Sequence, residues 1–285
     1  MSRYSRMFSR LREAGEGAFV PFVMLGDPTP ELSEEVVEAL IDGGADALEL
    51  GAPFSDPVAD GPTIQRAHIR ALEAEAGFAD ALAVVGRVRA RHPEIPIGLL
   101  VYGNVPFAVG PQKFYGACAK AGVDSVLLPD VPVREGGPFS AAARDAGVDA
   151  VYIAPPSADA RTLDAVAASS RGYVYAVSRA GVTGTERAAS TVGLAASVAR
   201  LRADAAAPVM LGFGISRPDQ VAEAIAAGAD GAISGSATVR IVEAHVPALA
   251  AAHDQGRDPG RQRELEALRD DLVAFTSAMK EATRR

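Results

Sequence analysis

Gly43-Gly-Ala-Asp-Ala-Leu-Glu-Leu-Gly51 reads as the end of a helix, a tight turn and a new strand, and the pattern recurs along the chain. Glycine and then aspartate precede an apolar run again at Gly122-Val-Asp124, Gly147-Val-Asp149 and Gly228-Ala-Asp230. Glycine suits the left-handed residue that closes a helix, and the residues after it turn into the next strand. Working outward from these joints, runs rich in Val, Ile, Leu and aromatics fall at Phe19–Leu25, Ala47–Leu50, Ile97–Tyr102, Ser125–Leu128, Ala150–Ala154, Tyr173–Val177, Val209–Phe213 and Gly231–Ser234. Between them lie segments of helical periodicity, such as Ser33–Ile41, Asp80–Arg91, Phe114–Ala121, Ala160–Ala168 and Gln220–Ala227. Strict alternation of strand and helix gives a parallel sheet. Eight such units point to an α/β fold closed as a (β/α)8 TIM barrel in preference to an open doubly wound sheet. The glycines after the first strand form no dinucleotide-binding fingerprint, which weakens the open sheet further.

A length of 285 residues fits one such barrel, and residues 1–285 are expected to form a single domain. With 48% hydrophobic and 22% charged residues, the chain can bury a large core. The net charge of −8 argues against a nucleic-acid partner. One cysteine, Cys118, allows no intramolecular disulfide and fits a reducing compartment. The charged N-terminus has no apolar core segment and no run reaches membrane-spanning length, so a cytoplasmic location away from membranes is expected. Outside the repeat, Met7, Phe8 and Leu11 predict a short N-terminal helix across one end of the barrel. A polar connector, 253–261, leads to a stripe of Leu265, Leu268, Leu272, Phe275 and Met279, which predicts an extra C-terminal helix docked on the barrel wall.

The chemistry gathers at the strand ends, where barrels of this kind carry their sites. On a strand of period two, Ala47, Glu49 and Gly51 share one face, which sets Glu49 among small apolar neighbours. Taken alone, such a residue reads as a core glutamate paired with a buried arginine. Here Asp56 and Asp60 follow in a Pro/Gly-stiffened loop, and desolvation of Glu49 would bring its proton into play near neutrality, as a general acid/base requires. Strand seven ends in Leu211-Gly-Phe-Gly-Ile-Ser216 and strand eight in Ile233-Ser-Gly-Ser-Ala237, before a short helical run, Val239–Ala244. Glycines let backbone amides approach an anion, and Ser236 at a helix start can donate to it, so a phosphate monoester is expected there. The long polar loop after strand six, Arg179–Ser190, suits a lid, with Thr183 and Gly184 positioned to touch a ligand. The only lysines, Lys113, Lys120 and Lys280, lie away from strand ends, which disfavours a Schiff base. His68, His92, His245 and His253 lack ligand spacing, so no metal site is expected. Carboxylate chemistry on a phosphorylated substrate remains, using Glu49 with Asp60 or Asp56.

Pro21-Phe-Val-Met-Leu-Gly-Asp-Pro28, Leu48-Glu-Leu-Gly-Ala-Pro-Phe-Ser-Asp-Pro-Val-Ala-Asp-Gly-Pro-Thr-Ile-Gln65, Ser178-Arg-Ala-Gly-Val-Thr-Gly184, Gly212-Phe-Gly-Ile-Ser216 and Gly231-Ala-Ile-Ser-Gly-Ser236 closely resemble the tryptophan synthase alpha chain family. The resemblance implies retro-aldol cleavage of indole-3-glycerol phosphate to indole and glyceraldehyde 3-phosphate, a step of tryptophan biosynthesis. It implies Glu49 as the catalytic acid/base and Asp60 as the group stabilising charge at the indole nitrogen. Phe22, Leu100, Tyr102, Leu127, Tyr175, Thr183, Phe213 and Ile233 would line the indole and glycerol pocket. Gly184, Phe213, Gly214, Gly235 and Ser236 would hold the phosphate. The family further implies no cofactor in this chain, and a partner beta chain that carries pyridoxal phosphate, takes indole through a tunnel and assembles with it as an α2β2 heterotetramer. Asp56, Pro57 and Tyr102-Gly-Asn104 would face that partner. Alternative readings are a sugar-phosphate isomerase of the same fold, a non-catalytic allosteric barrel, and a stand-alone lyase that releases free indole.

Overall fold

The computed structural model describes residues 1–177, 194–204, 207–212, 214–254 and 258–285. Among the described residues, nine parallel strands run as β1 (Ala18–Met24), β2 (Leu48–Gly51), β3 (Ile97–Leu100), β4 (Ser125–Leu127), β5 (Asp149–Val151), β6 (Ile153–Ala154), β7 (Val174–Val177), β8 (Val209–Gly212) and β9 (Gly231–Ser234). Their order across the sheet is β5-β4-β3-β2-β1-β9-β8-β7-β6. The two outermost strands are one run of chain interrupted only at Tyr152. β5 pairs back to β4, β6 pairs forward to β7, and the Tyr152 carbonyl accepts from the Tyr175 amide at 3.1 Å. The sheet therefore closes on itself as an eight-stave barrel, with β5 and β6 sharing the fifth stave.

Helices wrap the barrel between staves: α1 (Arg3–Ala14), α2 (Pro30–Asp42), α3 (Pro62–Glu73), α4 (Phe78–Arg91), α5 (Asn104–Val109), α6 (Pro111–Ala121), α7 (Gly137–Ala146), α8 (Ala160–Ser169), α9 (Leu194–Asp204), α10 (Pro218–Ala226), α11 (Ser236–Asp254) and α12 (Asp258–Glu281). A proline in the first turn starts α2, α3, α6, α7 and α10, where its missing amide costs no helical bond. Strand alternation divides the apolar residues. Leu48, Leu50, Leu99 and Val126 join the layer between barrel and helices, while Ala47, Leu127, Val151 and Ile233 fill the interior. The pleat persists through the break in the fifth stave, since Ala150 and Tyr152 face outward and Val151 inward.

α1 plugs the end of the barrel at which the strands begin, with Tyr4, Met7, Phe8 and Leu11 in the interior cluster. The repeated aspartates act at that end. Asp46 Oδ2 accepts from the first-strand amide of Phe19 at 3.0 Å, Asp124 Oδ2 from Ile97 at 2.8 Å and Asp230 Oδ2 from Val209 at 2.9 Å. Each carboxylate thus ties the strand it precedes to the start of a neighbouring strand. Arg10 and Lys280 pair with Asp46, and Arg3 and Arg89 with Asp124, so the same anions hold α1 and α12 in place. α12 lies against the outer layer through Leu268, Leu272 and Met279, with Phe275 edge-on to Phe19 at 6.3 Å.

Two sequence expectations need adjustment. The helix expected over Val239–Ala244 extends from Ser236 to Asp254, because the alanine-rich stretch after Pro247 propagates it. The expected polar connector is correspondingly short, since α12 begins at Asp258 with Pro259 in its first turn. Leu11→Ala should empty a site that is 1% exposed and cost about 2 to 5 kcal/mol, read as a lower urea midpoint with an unchanged slope.

Candidate active site

Glu49 lies on β2 between Phe22 of β1 and Gly98 of β3, facing the barrel axis because Leu48 and Leu50 take the outer layer. It is 2% exposed. Among the described residues no cation pairs with it; instead the Tyr173 hydroxyl donates to Glu49 Oε1 at 2.9 Å. Burial pushes the Glu49 carboxyl up from 4.5 to about 7, the Tyr173 bond pulls it down, and the nearby charge of Asp60 raises it again. A carboxyl so placed holds and releases a proton near neutrality.

Asp60 ends the loop between β2 and α3 and is buried, whereas Asp56 is exposed and accepts from its neighbour Ser55. The structure thereby separates the two aspartates left open by sequence. The Tyr102 hydroxyl donates to Asp60 Oδ2 at 2.7 Å, and the Tyr102 oxygen accepts from the Ala59 amide at 3.0 Å. His68 Nε2 lies 3.3 Å from the same Oδ2, and its Nδ1 accepts from the Phe54 amide at 3.0 Å. The Phe54 ring stacks on Tyr102, with centroids 5.0 Å apart. Tyr175 sits near both carboxylates: burial first, then Glu49 and Asp60, push its hydroxyl well above its ordinary range. Its ring needs the glycine opposite, since a Cβ at Gly212 would lie 2.2 Å from the Tyr175 oxygen.

Leu100, partly buried, touches both the cluster containing Phe22 and Ile64 and the one containing Leu127, Tyr175 and Ile233. Apolar side chains thus run continuously from Glu49 toward the strand ends. There Gly235 comes within 3.8 Å of Phe22 and Ile64, measured from where its Cβ would be. Ser234 Oγ donates to the Ile215 carbonyl at 2.7 Å and ties the end of β9 to the segment after β8. Gly214 takes φ +81°, a conformation that glycine adopts freely. α11 begins at Ser236 with no acidic residue in its first turn, so its positive end is uncompensated.

A family model for the tryptophan synthase alpha chain matches residues 8–268. The chain belongs to that family. The tryptophan synthase alpha chain of Corynebacterium glutamicum is 55% identical over 285 residues, all of both chains, and that of Aeromonas hydrophila is 53% identical over the same extent. Among solved structures, tryptophan synthase subunit alpha from Legionella pneumophila superposes with a TM-score of 0.81 at 30% identity, over 99% of this chain and 98% of that one. Tryptophan synthase of Mycobacterium tuberculosis gives 0.82 at 30% identity, over 100% and 99%. The alpha-chain reaction is that of a lyase: it cleaves indole-3-glycerol phosphate to indole and glyceraldehyde 3-phosphate.

Of the site residues expected for an alpha chain, Glu49, Asp60, Phe22, Tyr102, Leu127, Tyr175 and Ile233 are buried and Leu100 is half-buried. Thr183, Gly184, Phe213 and the proposed lid over 179–190 lie outside the described residues. Tyr102 was expected partly at the partner face; its side chain is 1% exposed because its hydroxyl is engaged inward by Asp60. Sequence reasoning missed Tyr173, Ile64 and His68, and set all four histidines aside. A buried carboxyl with a raised pKa also predicts a stability effect. The folded state holds the Glu49 proton more tightly than the unfolded chain, so its contribution is fully present below pH 4.5 and is lost as pH rises through about 7. Glu49→Gln, which keeps an acceptor for Tyr173, should be more stable than the parent at pH 8 to 9 by about 3 kcal/mol, with the two converging in acid. Urea titrations across pH check this.

Proposed function

We propose that Glu49 is the general acid/base and Asp60 the charge-stabilising carboxylate of indole-3-glycerol phosphate cleavage. The observation that carries this reading is the pairing of two buried carboxylates, each held by a tyrosine hydroxyl: Glu49, raised to about 7, accepts from Tyr173, and Asp60 accepts from Tyr102. In the forward direction protonated Glu49 gives its proton to C3 of the indole ring, leaving a carboxylate, while the nitrogen proton is drawn toward Asp60. The glycerol hydroxyl next to the ring then loses its proton to Glu49 as the carbon–carbon bond breaks. The bond's electrons return to the ring, the nitrogen recovers its proton, and the hydroxyl carbon leaves as the aldehyde. The protons balance and no electrons leave, so these residues need no cofactor of their own. Phe22, Leu100, Leu127, Tyr175 and Ile233 would enclose the indole, and Gly214, Gly235 and Ser236 at the start of α11 would take the phosphate.

We further infer a cognate beta chain that carries pyridoxal phosphate, in an α2β2 assembly. Exposed Asp56, Val58, Asn104 and Phe107, in the loop after β2 and in α5, support a partner face at the strand C-terminal end. Residues 1–285 are read as one barrel domain, supported by α1 and α12 packing into the same core layers. A cytoplasmic setting is supported by the buried free thiol of Cys118. Among the described residues no helix is long and apolar enough to cross a membrane.

Glu49→Gln should lower indole release at least about a hundredfold while affinity for glycerol phosphate stays near the parental value. Steady-state consumption of indole-3-glycerol phosphate, with isothermal titration of the ligand, measures both; rates within tenfold of the parent remove the assignment. A stand-alone lyase is the second reading, favoured by the seating of Asp60 within the chain itself through Tyr102. Titration with the cognate beta chain separates the two. A partner that organises the site should raise the rate at least several-fold, in line with coupling of about 1 to 3 kcal/mol. A flat titration with complex formation shown independently favours the stand-alone enzyme.

A further inference from the structure

His68 lies in the second turn of α3, eight residues beyond Asp60, and is 2% exposed. A buried imidazole on a helix is ordinarily a packing residue. This one has both ring nitrogens committed to the loop that carries Asp60. Its Nδ1 accepts from the Phe54 amide at 3.0 Å, and an amide can only donate. The ring must therefore carry its proton on Nε2, which points at Asp60 Oδ2 from 3.3 Å. The tautomer is set by the backbone, and its consequence is a donor aimed at the carboxylate.

The surroundings fix the ring. Tyr102 meets it edge-on, with centroids 6.1 Å apart at 63°, and stacks on Phe54 from its other side of the loop. The Tyr102 hydroxyl and the His68 N–H converge on the same oxygen, Oδ2. Two donors on rigid rings, one from the segment after β3 and one from α3, restrict rotation of the carboxylate about its Cβ–Cγ bond. The backbone is held as well, because the Gln65 side-chain Nε2 donates to the Asp60 carbonyl at 2.8 Å.

We propose that His68 is a positioning residue for the cleavage reaction, using Nδ1 to anchor the start of the loop at Phe54 and Nε2–H to orient Asp60 toward the indole nitrogen. This rests on the reading of Asp60 as the charge-stabilising carboxylate. Two near-isosteric variants separate the halves of the role. Asparagine retains an acceptor near the Nδ1 position but has no donor at the Nε2 position. Glutamine retains a donor near Nε2 and gives up the acceptor for Phe54.

The test uses the full chain and steady-state cleavage of indole-3-glycerol phosphate, with Asp60→Asn as control and thermal unfolding of every variant. His68→Asn should lower kcat by about tenfold or more, as loss of a hydrogen bond to a charged group would, with KM within about threefold and a melting temperature near the parent. His68→Gln should recover kcat to within about threefold of the parent, even with a lower melting temperature. Parental kcat in His68→Asn overturns the proposal, as does a kcat that follows melting temperature across both variants. Near-parental activity in Asp60→Asn sinks the reading of Asp60 instead, and is told apart because it appears in the control. Nitrogen-15 spectra of the labelled histidine ring give a measurement independent of any variant. A proton on Nε2 is expected, and a proton on Nδ1 overturns the assignment.

Discussion

Closure of the sheet through the Asp149–Ala154 stave is the constraint on which the rest depends. Once no edge is free, a strand residue has two destinations only, the helical layer or the axis. Leu48 and Leu50 claim the first, and Glu49 is left with the second. The carboxyl is buried there, so its proton affinity is set by its neighbours: burial raises it, one tyrosine hydroxyl lowers it and the charge of Asp60 raises it again. Fold and acid/base character are one consequence of the same pleat.

The second carboxylate is handled differently. Asp60 stands on a loop, where no pleat dictates direction, and its position is secured by bonds that arrive from two other elements. Tyr102 follows β3 and His68 rides on α3, and Phe54 ties the two rings together. The pair therefore joins a residue held by secondary structure to one held by side chains. The end proposed to take the phosphate is secured in a third way, by the Ser234 hydroxyl tying the end of β9 to the segment after β8 at the start of a long helix.

Much of this was legible in the residues because the strongest signals are local. A charged residue inside an apolar strand and a glycine-to-aspartate joint each announce themselves within a few positions, and the buried Glu49 and the barrel followed from them. The division of the fifth stave at Tyr152 was not legible, since it reflects pairing with two different neighbours. Tyr173 reads as the start of a strand, and nothing nearby in sequence says that its hydroxyl reaches β2. His68 is the clearest case. Its function depends on how α3 folds back over the loop before it, and a single histidine in an amphipathic segment carries no trace of that. Ile64 was missed for the same reason, as a helix residue that packs in one cluster with Phe22 and Met24 and not in the outer layer.

The aspartate joints that opened the sequence also bear on how such a barrel can change over time. Asp46, Asp124 and Asp230 each close a bond between adjacent staves at the end of the barrel where the strands begin. A duplicated or transplanted strand–helix unit would bring its own latch with it, needing from its neighbour only a backbone amide, which every residue but proline supplies. Assembly is thereby encoded at one rim in a form indifferent to side-chain identity, and the opposite rim is left open to variation in chemistry. Modular growth and catalytic diversification can proceed on separate faces of one scaffold.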